Sequence, residues 1–362
     1  MKDVLSFYRG KRVLLTGHTG FKGMWLALLL LRAGAEVTGF ALDAPMEGGR
    51  EALRQLGVLK ELRDLRGNVR DADALGRAFA AARPEVVFHL AAQPIVRASY
   101  RQPVETFAAN VMGTVNVLEC IRTSDTVRSA LMVTTDKVYE NKEWPWGYRE
   151  NEPLLGYDPY SASKSCAEIA AHSYRQSFFA GSGVRLSTAR AGNVIGGGDF
   201  APDRIIPDCI RAAVREQVID IRNPHSTRPY QHVLEPLSVY LMLAARQAED
   251  AALVGAWNVG PDDADCVTTG ELADLFCRTW GAGARWETHA DGGPHEAHFL
   301  KLDCSKIKSE LGWKPRWHIA EAVEKTVEWA KAWEAGADMR AVTEEQIEAF
   351  FAGNHRAGRE IG

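Results

Sequence analysis

Apolar residues gather along the chain in short blocks, and the stretches between them have helical spacing. RVLLTG (12–17) reads as a β-strand, residues 21–33 as a mostly apolar helix, and AEVTGFALD (35–43) as a second strand. EVVFHLAA (85–92), ALMVTT (130–135) and VRLSTARAG (184–192) follow, separated by helical patterns such as ETFAANVMGTVNVLECIR (105–122). None of these strands alternates strictly between apolar and polar. That is the pattern of strands buried on both faces, so helices are expected on both sides of a parallel sheet. The βαβα order through about residue 190 predicts an α/β fold, a doubly wound parallel sheet of Rossmann type.

Beyond that point the rhythm breaks. GNVIGGGDFAPDRIIPD (192–208) is rich in Gly and Pro, and RNPHSTRPYQHV (222–233) is crowded with turn residues. AWNVGPDD (256–263) reads as one more strand and turn, and helices return at about 270–280, 304–311 and 319–335. Trp329 and Trp333, four apart on the last helix, read as core packing. The expected organisation is a dinucleotide-binding unit over residues 1–190 and a smaller mixed unit over 191–362. Some segments of the second unit return to the first. No repeat or low-complexity linker divides them.

Composition changes this picture only by exclusion. The chain has 362 residues, 46% apolar and 25% charged, with a net charge of -4. That balance argues against nucleic acid as a main partner, since no cationic excess exists to displace counterions. The longest apolar run, MWLALLLL (24–31), has eight residues, too few to span a membrane, and MKDVLSFYRGKR lacks the form of a signal peptide. Six scattered cysteines make no CxxC or Cys/His cluster, so they read as reduced thiols of a cytoplasmic protein, with no metal site expected.

LLTGHTGFKG (14–23) places Gly17, Gly20 and Gly23 where the first strand turns into the first helix, with Thr19, Phe21 and Lys22 between them. Glycines at that turn let backbone approach a pyrophosphate seated on the helix N-terminus. Asp43 closes the second strand, where an acid bonds the ribose hydroxyls of an adenosine. No Arg follows directly, Arg50 being the nearest, which favours NAD over NADP. Leu90, Ala91 and Ala92 end the strand at 85–92 in small residues against which a cofactor can lie. His89 before them reads as a core histidine with a satisfied ring.

YDPYSASKSCAE (157–168) holds Tyr160 and Lys164 one helical turn apart, with Asp158 and Pro159 as N-cap and first helical residue. The helix end and the Lys164 ammonium are expected to lower the phenol pKa and make Tyr160 a usable general base. LMVTTDKVYE (131–140) delivers Thr135, Asp136 and Lys137 at the carboxyl end of a strand, where ligands sit in an open parallel sheet.

These residues carry a resemblance. TGHTGFKG, FHLAAQPIVRASY, TTDKVYENKEWPWGYRENEP, GYDPYSASK, RAGNVIGGGD, RNPHSTRPYQHVLEP and HEAHFLKLDCSK together resemble the extended short-chain dehydrogenase/reductases, and among them the nucleotide-sugar 4,6-dehydratases. The tryptophan-rich insert 141–150 and the Lys after Asp136 are those of the branch acting on CDP-glucose. Relatives acting on dTDP-glucose carry Glu at the position of Lys137.

The resemblance implies a bound NAD and a dehydration without net redox change. Tyr160, helped by Lys164 and Thr135, takes the proton of the sugar 4-hydroxyl as hydride leaves C4. The C5 proton is then lost, and Asp136 protonates the departing 6-hydroxyl. Lys137 either removes the C5 proton in a neutral form favoured by burial, or only orients the 6-hydroxyl while Tyr160 serves both steps. The resemblance places Asn193, Arg204, Arg222 and Arg228 at the substrate's diphosphate and nucleoside, with His295 and Glu296 as weaker candidates. Asn68 stands where the family has an acid contacting adenine. Helical faces at 103–121 and 161–178 are those that pair subunits in this family, implying a homodimer or homotetramer. Two other readings remain: a sugar-nucleotide 4-epimerase, which has no need of Asp136 as an acid, and a non-catalytic NAD-binding sensor.

Overall fold

The structure is a computed structural model that describes residues 2–289 and 297–352. Seven strands form one parallel sheet: β1 (Arg12–Thr16), β2 (Glu36–Ala41), β3 (Arg63–Arg66), β4 (Val86–His89), β5 (Ser129–Thr135), β6 (Arg185–Ala191) and β7 (Ala256–Val259). Their order across the sheet is β7-β6-β5-β4-β1-β2-β3, so the chain winds outward from β1 in both directions. The carboxyl ends of β1 and β4, where the winding reverses, open the crevice in which such sheets bind ligands.

The apolar blocks form strands because both sheet faces are covered. Val13 and Leu15 of β1 join one core cluster, while Leu14 between them joins the other. Leu131 and Val133 of β5 divide from Ala130 and Met132 in the same way. Each such Val, Leu or Met side chain, when fully buried, contributes about 1.5–3 kcal/mol, so a one-residue slip of register is strongly disfavoured.

The second half departs from the pattern reading in one respect that matters. Leu234–Glu249 is a sixteen-residue helix that the reading did not place, and it packs on the sheet. Tyr8 Oη donates to the Leu241 carbonyl at 2.6 Å, and Gln247 Nε2 donates to Ser129 Oγ at 2.8 Å, joining this helix to the N-terminal segment and to β5. Its neighbour β7 pairs in register with β6, Trp257 opposite Ala189.

The remaining segments build a smaller core of Ile206, Cys209, Ile219, Leu272, Phe276, Val323 and Val327. Helix Thr269–Trp280 starts in a capping box, Thr268 with Glu271. Trp329 is buried and stacks on Trp333 at 5.5 Å and 11°, as their spacing predicts. Among the described residues no helix is long and apolar enough to cross a membrane.

Candidate active site

A cleft of about 440 Å³ lies at the carboxyl ends of the strands and is lined by Lys22, Asp136, Lys137, Tyr160 and Lys164 on the sheet side. Asn193, Arg204, Arg222 and Arg228 face it from the second half. Most of the residues singled out by pattern or by resemblance therefore converge on one space. His295 and Glu296 fall outside the described residues.

The glycine turn is built for close approach. Gly17 has φ +77°, and a Cβ there would stand 2.7 Å from the Ala91 nitrogen. A Cβ on Gly23 would stand 2.0 Å from the Gly17 carbonyl oxygen. Gly20 caps helix Phe21–Arg32 without any side chain over its first N–H groups, which leaves them for an anion. These features fit a dinucleotide pyrophosphate. Phe21, Lys22, Leu90 and Ala92 line the cleft, whereas Thr19 spends its hydroxyl on the Leu42 carbonyl at 2.7 Å. Burial, reinforced by Arg204 and Lys164, pushes Lys22 down to about 7.

At the outer end of the turn, Asp43 is largely exposed and pairs with Arg66 at 3.2 Å. Arg50, the nearest arginine by sequence, instead donates to the Ala44 carbonyl at 2.9 Å. The guanidinium beside Asp43 thus comes from the end of the adjoining strand β3. Asn68 Oδ1 accepts from the Arg70 backbone N–H at 3.0 Å.

Thr135 ends β5, and a single turn of 3₁₀ helix, Asp136–Val138, follows at once. Thr135 Oγ1 donates to Asp136 Oδ1 at 2.8 Å. Asp136 is 1% exposed and its Oδ2 has no hydrogen-bond partner. Burial raises its pKa against the pull of Lys137, the Thr135 hydrogen bond and Arg228. A buried acid with one open oxygen is not a solvated turn residue. Lys137 is partly buried on the same wall.

Asp158 caps the helix Pro159–Tyr174 through the Ser161 N–H at 3.0 Å. The expected lowering of the Tyr160 phenol is overturned: burial pushes it up to about 12, only partly offset by Thr135 and Arg204. The Asp158 carboxylate, sitting on the helix end, adds to the rise instead of leaving that end positive. Lys164 Nζ donates to the Val133 carbonyl at 3.1 Å, and burial pulls it down to about 8. In this form of the site Tyr160 is a neutral phenol.

Three features that hold the site were not read from the pattern. Arg190 and Glu168 form a buried ion pair at 2.8 Å, and Glu168 also accepts from Thr134 and Thr188. This network fixes β5 one residue before Thr135 against the helix that carries Tyr160. Its signal was a charged residue within an apolar strand. Asn110, in a π-helical segment Ala108–Met112, donates to Ser163 Oγ at 2.9 Å and accepts from the Gln93 N–H at 2.8 Å. Asn141 and Glu143 of the tryptophan-rich insert line the cleft. His89 lies beneath, its ring between Thr16 and Thr114, and burial holds it down to about 3.

On the second-half side, Arg204 pairs with Asp199 at 2.9 Å and Arg222 with Asp203 at 3.2 Å. Arg228 is buried and donates to the carbonyls of Thr227 and Ala297. Asn193 lines the same wall, its backbone carbonyl accepting from the Gln231 N–H at 2.9 Å. Among the described residues no cluster of His, Cys, Asp and Glu could hold a metal ion.

A family model described as GDP-mannose 4,6 dehydratase matches residues 14–326. The chain is 48% identical to a CDP-glucose 4,6-dehydratase of Salmonella typhimurium over 97% of this chain and 99% of that protein. It is 29% identical to a dTDP-glucose 4,6-dehydratase of Streptomyces antibioticus, over 88% of this chain and 91% of the relative. The solved structure of a Thermus thermophilus UDP-glucose 4-epimerase in complex with NAD superposes with a TM-score of 0.76 at 26% identity, covering 88% of this chain and 99% of that one.

Proposed function

The chain belongs to the GDP-mannose 4,6 dehydratase family, and from that premise we propose that it is a hydro-lyase converting CDP-glucose to CDP-4-keto-6-deoxyglucose with a resident NAD. The sugar and nucleotide rest on the 48% identity to a CDP-glucose 4,6-dehydratase. The choice of NAD is supported by the glycine turn and by the NAD complex of the epimerase relative.

When bound, NAD supplies the hydride acceptor and later donor that link C4 and C6 of the sugar. The chain's residues handle the protons. Tyr160 takes the 4-hydroxyl proton, with Thr135 hydrogen-bonded to its phenol and Lys164 assisting. A C4 ketone acidifies the neighbouring C5 proton, which passes to the amine form of Lys137, or to Tyr160 once the phenol has released its first proton, and a proton returns to C5 as hydride reaches C6. Asp136, whose pKa burial raises, gives a proton to the departing 6-hydroxyl, which leaves as water. Arg204, Arg222 and Arg228 offer planar forks to the diphosphate and nucleoside, and Asn193 an amide.

The observation that carries this reading is Asp136: a buried acid with an open oxygen beside Thr135 and Tyr160. An epimerase moving hydride to and from C4 alone has no leaving hydroxyl to protonate.

The working unit within this reading is a homodimer or homotetramer. Its support is the exposed apolar set Val104, Phe107, Met112, Ile169 and Phe178 on two helical segments packed side by side. A cytoplasmic setting agrees with six free cysteines. The proposed division is 1–190 for dinucleotide and 191–362 for nucleotide sugar, with Leu234–Glu249 and β7 assigned back to the first.

The test is incubation of the purified protein, without added NAD, with CDP-, UDP-, dTDP- or GDP-glucose, followed by mass spectrometry. Loss of one water from CDP-glucose alone is expected. No water loss from any of the four, even after NAD is supplied, would overturn the reading. An epimer of unchanged mass would replace dehydration with epimerisation.

A further inference from the structure

Asp203 and Arg222 meet on the second-half wall of the cleft, where Arg222 Nη1 donates to Asp203 Oδ1 at 3.2 Å. Both residues line the cleft, and both side chains are 27% exposed, so an occupant can touch them. They come from different elements. Asp203 stands one residue before Arg204, the N-cap of helix Ile205–Val214, and Arg222 one residue past strand Ile219–Ile221. Asp203 is held in the left-handed region at φ +61°, which Asp tolerates better than most residues.

The position of the pair follows from the charges around it. Arg204 is near enough to Tyr160 to pull against the rise of its phenol, whereas Arg222 acts on Asp208, one turn further along the helix. Outward from Tyr160 the order is thus Arg204, then Asp203 with Arg222. A nucleotide sugar in the cleft runs sugar, diphosphate, base in the same direction. Ile206, Pro207 and Ile221 line the cleft as well and offer an apolar surface to the flat face of a base. The other carboxylates of this wall are spent differently: Asp199 on the Ala201 N–H and Arg204, Asp208 on Arg211, and Asp220 beside His289.

The pair keeps an acceptor and several donors in reserve, because one carboxylate oxygen and one guanidinium nitrogen make its internal contact. An acceptor beside a fork of donors is the complement of cytosine, whose edge presents the N4 amino group and then the N3 and O2 acceptors. Uracil and thymine present O4 and N3–H at the first two of those positions, which sets oxygen against carboxylate and N–H against N–H. A site that hydrogen-bonds its ligand rejects such an analogue because the mismatch leaves desolvated polar groups unpaired.

We propose that Asp203 and Arg222 together read the nucleobase, Asp203 accepting from the cytosine amino group and Arg222 donating to the N3 and O2 beside it. This deepens the proposed reading of the cleft as a CDP-glucose site and rests on it. The planar fork of Arg222 matches two neighbouring acceptors, and its contact with Asp203 holds it in place, so little side-chain freedom is lost on binding.

The test is calorimetric binding of CDP, UDP and dTDP to the purified protein with its bound NAD; lacking the sugar, the three report on the base without turnover. The wild type is compared with Asp203→Asn, Asp203→Gly, Arg222→Met and Arg204→Gln, with thermal melting as the check of folding. Asn and Gly both accept a left-handed backbone. The wild type is expected to bind CDP about tenfold or more tighter than UDP or dTDP. Both Asp203 variants and Arg222→Met lose most of that preference, and Asp203→Asn gains affinity for UDP because its amide can donate to O4. Arg204→Gln weakens all three ligands and keeps the preference. An unchanged preference in both folded Asp203 variants overturns the inference alone. So does a wild type that binds the three alike while dehydrating CDP-glucose. Binding of none of the three by the wild type, with no water lost from CDP-glucose, overturns the reading of the cleft and this inference with it.

Discussion

Thr135 and Asp136 are neighbours whose side chains face each other, Thr135 Oγ1 standing 2.8 Å from Asp136 Oδ1. The contact turns one carboxyl oxygen toward the hydroxyl and leaves the other, Oδ2, buried and open. A strand ending in this pair gives the cleft a carboxyl that is both oriented and desolvated. Those are the two properties a general acid needs, because orientation sets reach and desolvation keeps the proton on.

Replacing Asp136 by Asn is therefore expected to separate the two halves of the reaction. Water loss falls by about 100- to 10,000-fold, the usual contribution of a positioned acid. Oxidation at C4 continues, so the absorbance of reduced nicotinamide builds up on mixing with CDP-glucose. Stopped-flow absorbance beside mass spectrometry checks both. Equal loss of the two steps would assign Asp136 to substrate binding instead.

The pH profile tests Tyr160 and Lys164 together. With the phenol near 12 and the ammonium near 8, the form holding phenolate and ammonium at once grows with pH until Lys164 begins to lose its proton. Above that point the gain in phenolate and the loss of ammonium cancel. The expected kcat/KM rises below about pH 8 and levels off above it. In Lys164→Met the level region disappears and the rise continues. A profile already flat at acidic pH would contradict the burial-raised phenol.

Gly23 and Gly20 are expected to respond differently to Ala. A Cβ on Gly23 would overlap the Gly17 carbonyl at 2.0 Å, whereas one on Gly20 meets the same oxygen at 3.4 Å. Gly23→Ala should lose bound dinucleotide and lower Tm by several degrees, since relieving the overlap moves the turn. Gly20→Ala should keep the fold at near wild-type Tm. Dinucleotide content and thermal melting check the pair.

Glu235 lies outside the cleft and bears on stability. It is 1% exposed, its Oε1 accepts from the Arg316 and Trp317 N–H groups at 2.7 Å each, and its Oε2 has no partner. Burial pushes its pKa from 4.5 up to about 7. The folded state therefore binds this proton more tightly than the unfolded one, and stability falls as pH rises between those two values. Glu235→Gln keeps an oxygen for both N–H groups and should remove that fall, gaining on the order of 3 kcal/mol at most above pH 7. Urea unfolding at acidic and at mildly alkaline pH measures it.

Much of the sheet was legible because strands buried on both faces read as unbroken apolar blocks, and because the glycine turn follows directly on β1. Tyr160 and Lys164 could be paired by helical spacing, and the cleft does bring them together with Thr135 and Asp136. Leu234–Glu249 escaped because it is apolar on nearly every side, has Pro236 in its first turn and follows a run of turn residues. A helix without a polar face shows no periodicity. Asp43 and Arg66 escaped because their contact depends on the register of β2 against β3, which residue spacing does not encode. The phenol of Tyr160 was misjudged for a related reason: spacing reports its neighbours, while its pKa is dominated by how deeply it is buried.

In the proposed dehydration, hydride leaves C4 and returns to C6 within one sugar while water departs. CDP-glucose carrying deuterium at C4 tests it most directly, with product analysed by NMR and mass spectrometry. A product lighter by one water that carries the deuterium on C6 is expected. Deuterium still at C4, or lost to solvent, would contradict it.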